Sequence, residues 1–105
     1  MIDSSWDSEA IRFSTLAGED RWRWFARLLY ALTMIARGTY TVGGNGLDQP
    51  ERMRRLSELI HRVAGQLREN IDGIAGRPDA VFLKMIGEEL ATLGVDAESL
   101  IKMLR

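Results

Sequence analysis

Cysteine is absent from the 105 residues. That removes disulfides, thiolate metal ligands and a cysteine nucleophile, and with them the small disulfide-stapled secreted class. There is one histidine, His61, so imidazole chemistry has a single possible carrier. Proline occurs only at positions 50 and 78, leaving the segments between them free to run as long helices. Long apolar runs are lacking too. The longest, Leu28 to Ala36, sits between Arg27 and Arg37 and has less than half of the roughly 20 residues a membrane span needs. No basic start followed by an apolar segment opens the chain, so no signal peptide is expected, and a cytoplasmic location is. Low-complexity tracts and internal repeats are missing.

What is present is the composition of an ordinary globular protein, 46% apolar and 28% charged, with room for one domain and one modest core. The net charge of −1 hides a pattern. Residues 1–20 are acidic on balance, residues 21–68 carry nine Arg against three acids, and residues 69–105 are again acidic. A basic centre between acidic ends suits either a nucleic-acid footprint or internal ion pairs.

The clearest element starts at Asp48. Asp48 and Glu51 have capping-box spacing, and Pro50 falls in the first turn, where its missing N–H costs nothing. Met53, Leu56, Ile60, Val63 and Leu67 then recur at steps of 3 and 4, the seam of an amphipathic helix. Ile71 and Ile74 extend the stripe, and Gly73 or Gly76 can end it. Glu19 to Arg37 predicts a second long helix with acids at its positive end and Arg37 at its negative one. Trp22, Phe25, Leu29, Leu32 and Ala36 form one apolar stripe of that helix, and Trp24, Leu28, Ala31 and Ile35 form an adjoining one. Only a strip holding Arg23, Arg27, Tyr30, Met34 and Arg37 is left for water. A chain this short has few neighbours to cover both faces. The expectation is therefore a homodimer, with Trp24, Leu28, Ala31 and Ile35 as the contact with a second copy; coverage by the C-terminal helices within a monomer is the alternative.

Pro78 opens a third helix, about 79–93, burying Phe82, Ile86, Leu90 and Leu93, and Gly94 stops it. Asp96 caps a short last helix over 97–104 that buries Leu100, Ile101 and Leu104. Residues 1–17 form a short helix along Trp6, Ala10, Phe13 and Ala17, or a packed arm. Residues 38–47 are a Gly-rich link, longer than most helix–helix connections.

The motifs that would carry chemistry fail on inspection. Gly38 and Gly43 have P-loop spacing, but no Lys-Ser or Lys-Thr follows and no strand precedes; Gly44 and Gly46 lack the third glycine of a dinucleotide fingerprint. Glu58 and His61 form the Glu-x-x-His unit of di-iron bundles, yet both point away from the seam, and the facing helix offers Leu28, Leu29 and Leu32 instead of a carboxylate. Glu88 and Glu89 diverge and make a poor acid–base pair. Ser57 lies on a helix edge. Leu93, Gly94, Val95 and Leu100, within residues 89–105, resemble the helix-turn-helix pattern of bacterial repressors, which would imply DNA reading. Here Glu89 stands where that pattern wants a small apolar residue, and Asp96, Ala97, Glu98 and Ser99 open the helix that should meet phosphates. A plain αα-turn accounts for Gly94 and Asp96.

The sequence thus predicts an all-α bundle: an antiparallel hairpin of helices 19–37 and 49–73, two shorter helices at 79–93 and 96–104, and an arm over 1–17. No catalytic, cofactor-binding or metal-binding residue is assigned. The favoured role is a non-catalytic, homodimeric protein–protein interaction module. The alternative is nucleic-acid binding through Arg23, Arg27, Arg54, Arg62 and Arg68.

Overall fold

The computed structural model describes residues 4–38, 49–73 and 79–104. Their regular structure is entirely helical: α1 (Ser4–Ser14), α2 (Glu19–Gly38), α3 (Gln49–Asp72), α4 (Asp79–Leu93) and α5 (Ala97–Met103). The Asp48 half of the capping box, Pro78, Ile74, Gly76 and positions 39–47 of the Gly-rich link lie outside the described residues. No described helix is long and apolar enough to cross a membrane.

α1 is a helix, and it is central to the packing. Trp6 and Phe13, seven residues apart and hence on one face, are each 1% exposed. The Trp6 indole Nε1 donates to the Leu83 carbonyl of α4 at 2.9 Å, which ties the two ends of the chain together. α1 packs on α4 and α5. At its end, the Ser14 hydroxyl donates to the Ile11 carbonyl, and the Arg12 carbonyl accepts from both the Thr15 N–H and the Thr15 hydroxyl, so local donors close the last turn. Ile11 to Leu16 suit an extended arm equally well by sequence, and of these Ile11 to Ser14 are helical.

The two stripes of α2 merge into one broad buried face. Trp24, Phe25, Leu28, Ala31 and Leu32 are buried, whereas Trp22, Leu29 and Ala36 sit half-buried at its flank. An aromatic chain joins α2 to its neighbours: Phe13–Trp24 at 4.7 Å between centroids, Phe13–Phe25 at 5.2 Å and Phe25–Phe82 at 6.0 Å. This corrects the premise of the expected dimer contact. Trp24, Leu28 and Ala31 are closed off inside the single chain, and Ile35 packs partly buried against the same core. The cover comes from α1, which the sequence left as an uncertain arm, and from α4 and α5. The breadth of the apolar face no longer calls for a second copy.

α3 packs against α2 more extensively than any other helix pair. Its buried residues are Arg52, Leu56, Leu59, Val63 and Gln66, again at steps of 4 and 3. The buried face is thus rotated from the expected seam: Met53, Ile60 and Leu67 become its half-buried shoulder, and Ile71 is 56% exposed. α4 buries Phe82, Leu83, Ile86, Leu90 and Leu93. It ends at Gly94, whose φ of 74° lies in the left-handed region that other residues enter at a cost of about 1–2 kcal/mol. The Val95 N–H then donates to the Leu90 carbonyl at 2.9 Å, closing the helix end. Asp96 starts α5 as expected, its carboxylate accepting from the Glu98 N–H and the Ser99 hydroxyl. Those donors hold its pKa below the ordinary aspartate value, the Ser99 hydroxyl most.

Candidate functional site

Among the concave regions of the described surface, three are lined by the residues of interest. The smallest two are polar and each is built around arginine. Between α3 and α4, a cleft of about 170 Å³ is lined by Arg54, Arg55, Glu58, Leu59, Arg62 and Glu89. Its charges answer one another. Arg54 bridges Glu51 and Glu58, and Arg55 reaches Glu51 at 3.2 Å and Glu89 of α4 at 3.9 Å. Arg54 is the main reason the Glu51 carboxyl is pushed down to about 2, with Arg55 adding to it. Arg62 donates to the Met85 sulfur at 3.7 Å, a weak acceptor.

The depressed Glu51 value gives a direct check. A group with a lowered folded-state pKa favours the folded state above its ordinary value, and the contribution is lost as pH falls through the folded one. In a carboxyl-detected NMR titration Glu51 is expected to titrate at about 2, and Arg54→Gln should raise the midpoint toward the ordinary glutamate value of ~4.3, stopping short of it because Arg55 still pairs with the carboxylate. An unchanged midpoint in the variant would show that the pairing does not persist in solution.

The second polar cleft, about 150 Å³, lies between α1 and α2 and is lined by Arg12, Leu16, Asp20, Arg23, Trp24 and Arg27. Beside it is the one buried carboxylate among the described residues, Glu9, at 2% exposure. Glu9 accepts from Arg12 Nε at 3.0 Å, from Arg12 Nη2 at 2.6 Å and from the Trp24 indole at 2.8 Å. The forked contact raises the Arg12 pKa. Nothing in the sequence pattern singled out Glu9. The available signal was its position three residues after Trp6 and four before Phe13, in the middle of an apolar face.

The third region is an apolar groove of about 490 Å³ between α1 and α4, lined by Ala10, Ile11, Phe13, Ser14, Arg21, Ala80 and Leu83. Ile11 forms its lip and is 70% exposed. The Arg21 guanidinium lies 4.6 Å from the Phe13 ring centroid and donates to the Leu16 carbonyl.

The arginines weighed as a joint nucleic-acid surface fall into separate places. Arg23 and Arg27 line the α1–α2 cleft, Arg54 and Arg62 the α3–α4 cleft, and Arg68 lies 3.8 Å from Asp72 near the end of α3. Glu58 and His61 are both exposed. No three His, Asp or Glu side chains converge as a metal site among the described residues. Compared with protein-family models, curated proteins and solved structures, the chain shows no match.

Proposed function

We propose that the chain is a non-catalytic helical module that acts by presenting surface to another protein. The observation that supports this most is the exterior of α2. Tyr30 is 68% exposed and Met34 40%, one turn apart, with Arg23, Arg27 and Arg37 exposed along the same line. Large side chains of these types are the ones enriched at protein interfaces. The interior, by contrast, is occupied by packed apolar and aromatic side chains. In this reading α2 and α3 run antiparallel as a hairpin. A parallel pair would need the ten-residue link to span a helix of about 30 Å almost fully extended.

The unit of the proposed module is the single chain, since the face once assigned to a second copy is covered from within. Size exclusion with light scattering at low salt, recording absorbance at 260 and 280 nm, tests this. One chain's mass of 11.9 kDa with a protein-like ratio is expected. A two-chain mass would restore the homodimer and require a contact other than Trp24, Leu28 and Ala31. A 260 nm excess that salt removes would put nucleic-acid binding by Arg23, Arg27, Arg54, Arg62 and Arg68 in its place.

A further inference from the structure

The geometry points to the exposed strip of α2, Arg23–Arg27–Tyr30–Met34–Arg37, as a docking surface for an acidic helical segment of a partner protein. The inference rests on the interaction-module reading and gives that partner a chemistry. The five residues advance by 4, 3, 4 and 3, so they fall within an arc of about 80° and over about 21 Å of helix. That is one ridge, long enough for a partner helix of some four turns to lie along it. All five are exposed.

Charge decides what the ridge fits. On α3 three of the arginines are answered at home, Arg54 by Glu51 and Glu58, Arg55 by Glu51 and Glu89, and Arg68 by Asp72, while Arg62 meets the Met85 sulfur. On α2 the compensation stops after the first turn. Arg23 pairs with Glu19 at 2.9 Å, and these two side chains are 56% and 68% exposed, a contact that water screens and a partner can replace at little cost. Among the described residues, Arg27 reaches the Leu104 carbonyl, at 3.4 Å, and no carboxylate within ion-pair distance. For Arg37 no carboxylate lies within ion-pair distance among the described residues. Three guanidiniums thus frame an apolar pair, Tyr30 and Met34, that water does not solvate well. The complementary surface has two apolar side chains one helical turn apart, flanked on both sides by Asp or Glu. A tyrosine contributes a rigid face with a polar tip, and a methionine adapts its shape to what it meets. A long polyanion fits less well. The chain as a whole is slightly acidic, net −1, so its overall field does not gather phosphate backbones, and the local patch spans only a few nucleotides.

The test uses the full chain, ¹⁵N-labelled, titrated with three probes. The first is a blocked helix-forming peptide of about 18 residues carrying Leu at i and i+4 between two pairs of Glu. The second is the same peptide with Lys for Glu, and the third is a single-stranded oligo-dT of similar charge. The expected result is saturable shifts along Arg23–Arg37 with the acidic peptide only. Affinity should fall about tenfold or more in Arg27→Glu/Arg37→Glu, and again in Tyr30→Ala/Met34→Ala. Both pairs are exposed, so an unchanged amide spectrum elsewhere will show that the variants fold. Stronger binding of oligo-dT overturns the inference together with the protein-partner reading. Acidic-peptide shifts centred on the Ile11 groove overturn the strip alone and leave the module reading standing. No shift with any probe up to millimolar concentration overturns the acidic-segment assignment.

Discussion

Phe25→Ala should cost about 3–5 kcal/mol of folding stability, which for a domain with a total of about 5–15 kcal/mol is enough to leave a measurable unfolded fraction. The size follows from the position. Phe25 is fully buried, and its ring meets those of Phe13 on α1, Trp24 on α2 and Phe82 on α4. Truncation therefore opens a cavity between three helices whose backbones are held by other contacts, including the Trp6 indole on the Leu83 carbonyl. A site that cannot collapse loses both transfer energy and packing. Phe25→Leu keeps most of the apolar volume and should lie well below the alanine value. Urea denaturation followed by tryptophan fluorescence measures both, since Trp24 lies 5.2 Å from Phe25 and reports the same cluster. A loss under about 1 kcal/mol for alanine, the range of surface substitutions, would mean that α1 and α4 do not close over α2 as described.

That α1 carries so much of the packing was hard to read from the chain. The long helices were legible because their signals are redundant. Apolar spacing and a stop glycine agree for 19–37, for 49–73 and for 79–93, helped by end charges in the first, by Glu51 and Pro50 in the second and by Pro78 in the third, and the observed bounds differ by a residue at most. Eleven residues of mixed character offer about three turns of pattern, and Trp6 and Phe13 show only that something must be buried. What they bury against lies at the opposite end of the sequence, and periodicity carries no information about that distance. The same gap misplaced the reason for the broad face of α2. Its width was read correctly, and the strip left to water, from Arg23 to Arg37, emerged as expected. With residues 1–17 as an arm at the edge of the bundle, the second face of α2 is short of neighbours, and that shortage is what points to a second copy.

The rotation of α3 has a different cause. Leu56 and Val63 belong to both the expected seam and the observed buried row, so the apolar letters leave a rotation of about 60° between the two undecided. Leu59 settles it, together with Arg52 and Gln66, which sit at 3% and 6% exposure. A pattern of apolar residues gives no weight to a buried Arg or Gln, and it favoured Met53, Ile60 and Leu67 accordingly. Long polar side chains bury their stems while their polar ends find partners, so the true row is apolar in area though not in letters. The arginines that looked like one surface were separated for a related reason. Placing them outward on two helices leaves open which neighbour closes over each, and α1 and α4 turn out to divide them.

Glu9→Ala should destabilise the fold by about 1–3 kcal/mol, a large effect for a carboxylate that no motif marks. The buried end of the interaction sets the scale. Removing Glu9 takes an acceptor from the Trp24 indole, and a buried donor left unmatched costs about 1–3 kcal/mol. The Arg12 side is discounted, because that guanidinium is 40% exposed and water replaces much of what it loses. Glu9→Gln keeps an amide oxygen for Trp24 while surrendering the charge, so it should retain about half of the difference. Arg12→Ala has the opposite character: it leaves a buried charge without its forked cation, a costlier state than the exposure of Arg12 suggests. A double-mutant cycle across Glu9 and Arg12 separates these contributions, with a coupling of about 1–2 kcal/mol expected for a forked, part-buried pair. The Trp24 indole N–H supplies an independent readout, since its hydrogen-exchange protection should drop in Glu9→Ala and hold in Glu9→Gln. Coupling near zero with an unaltered indole signal would place Glu9 in solvent, and with it the docking of α1 on α2 would have to be redrawn.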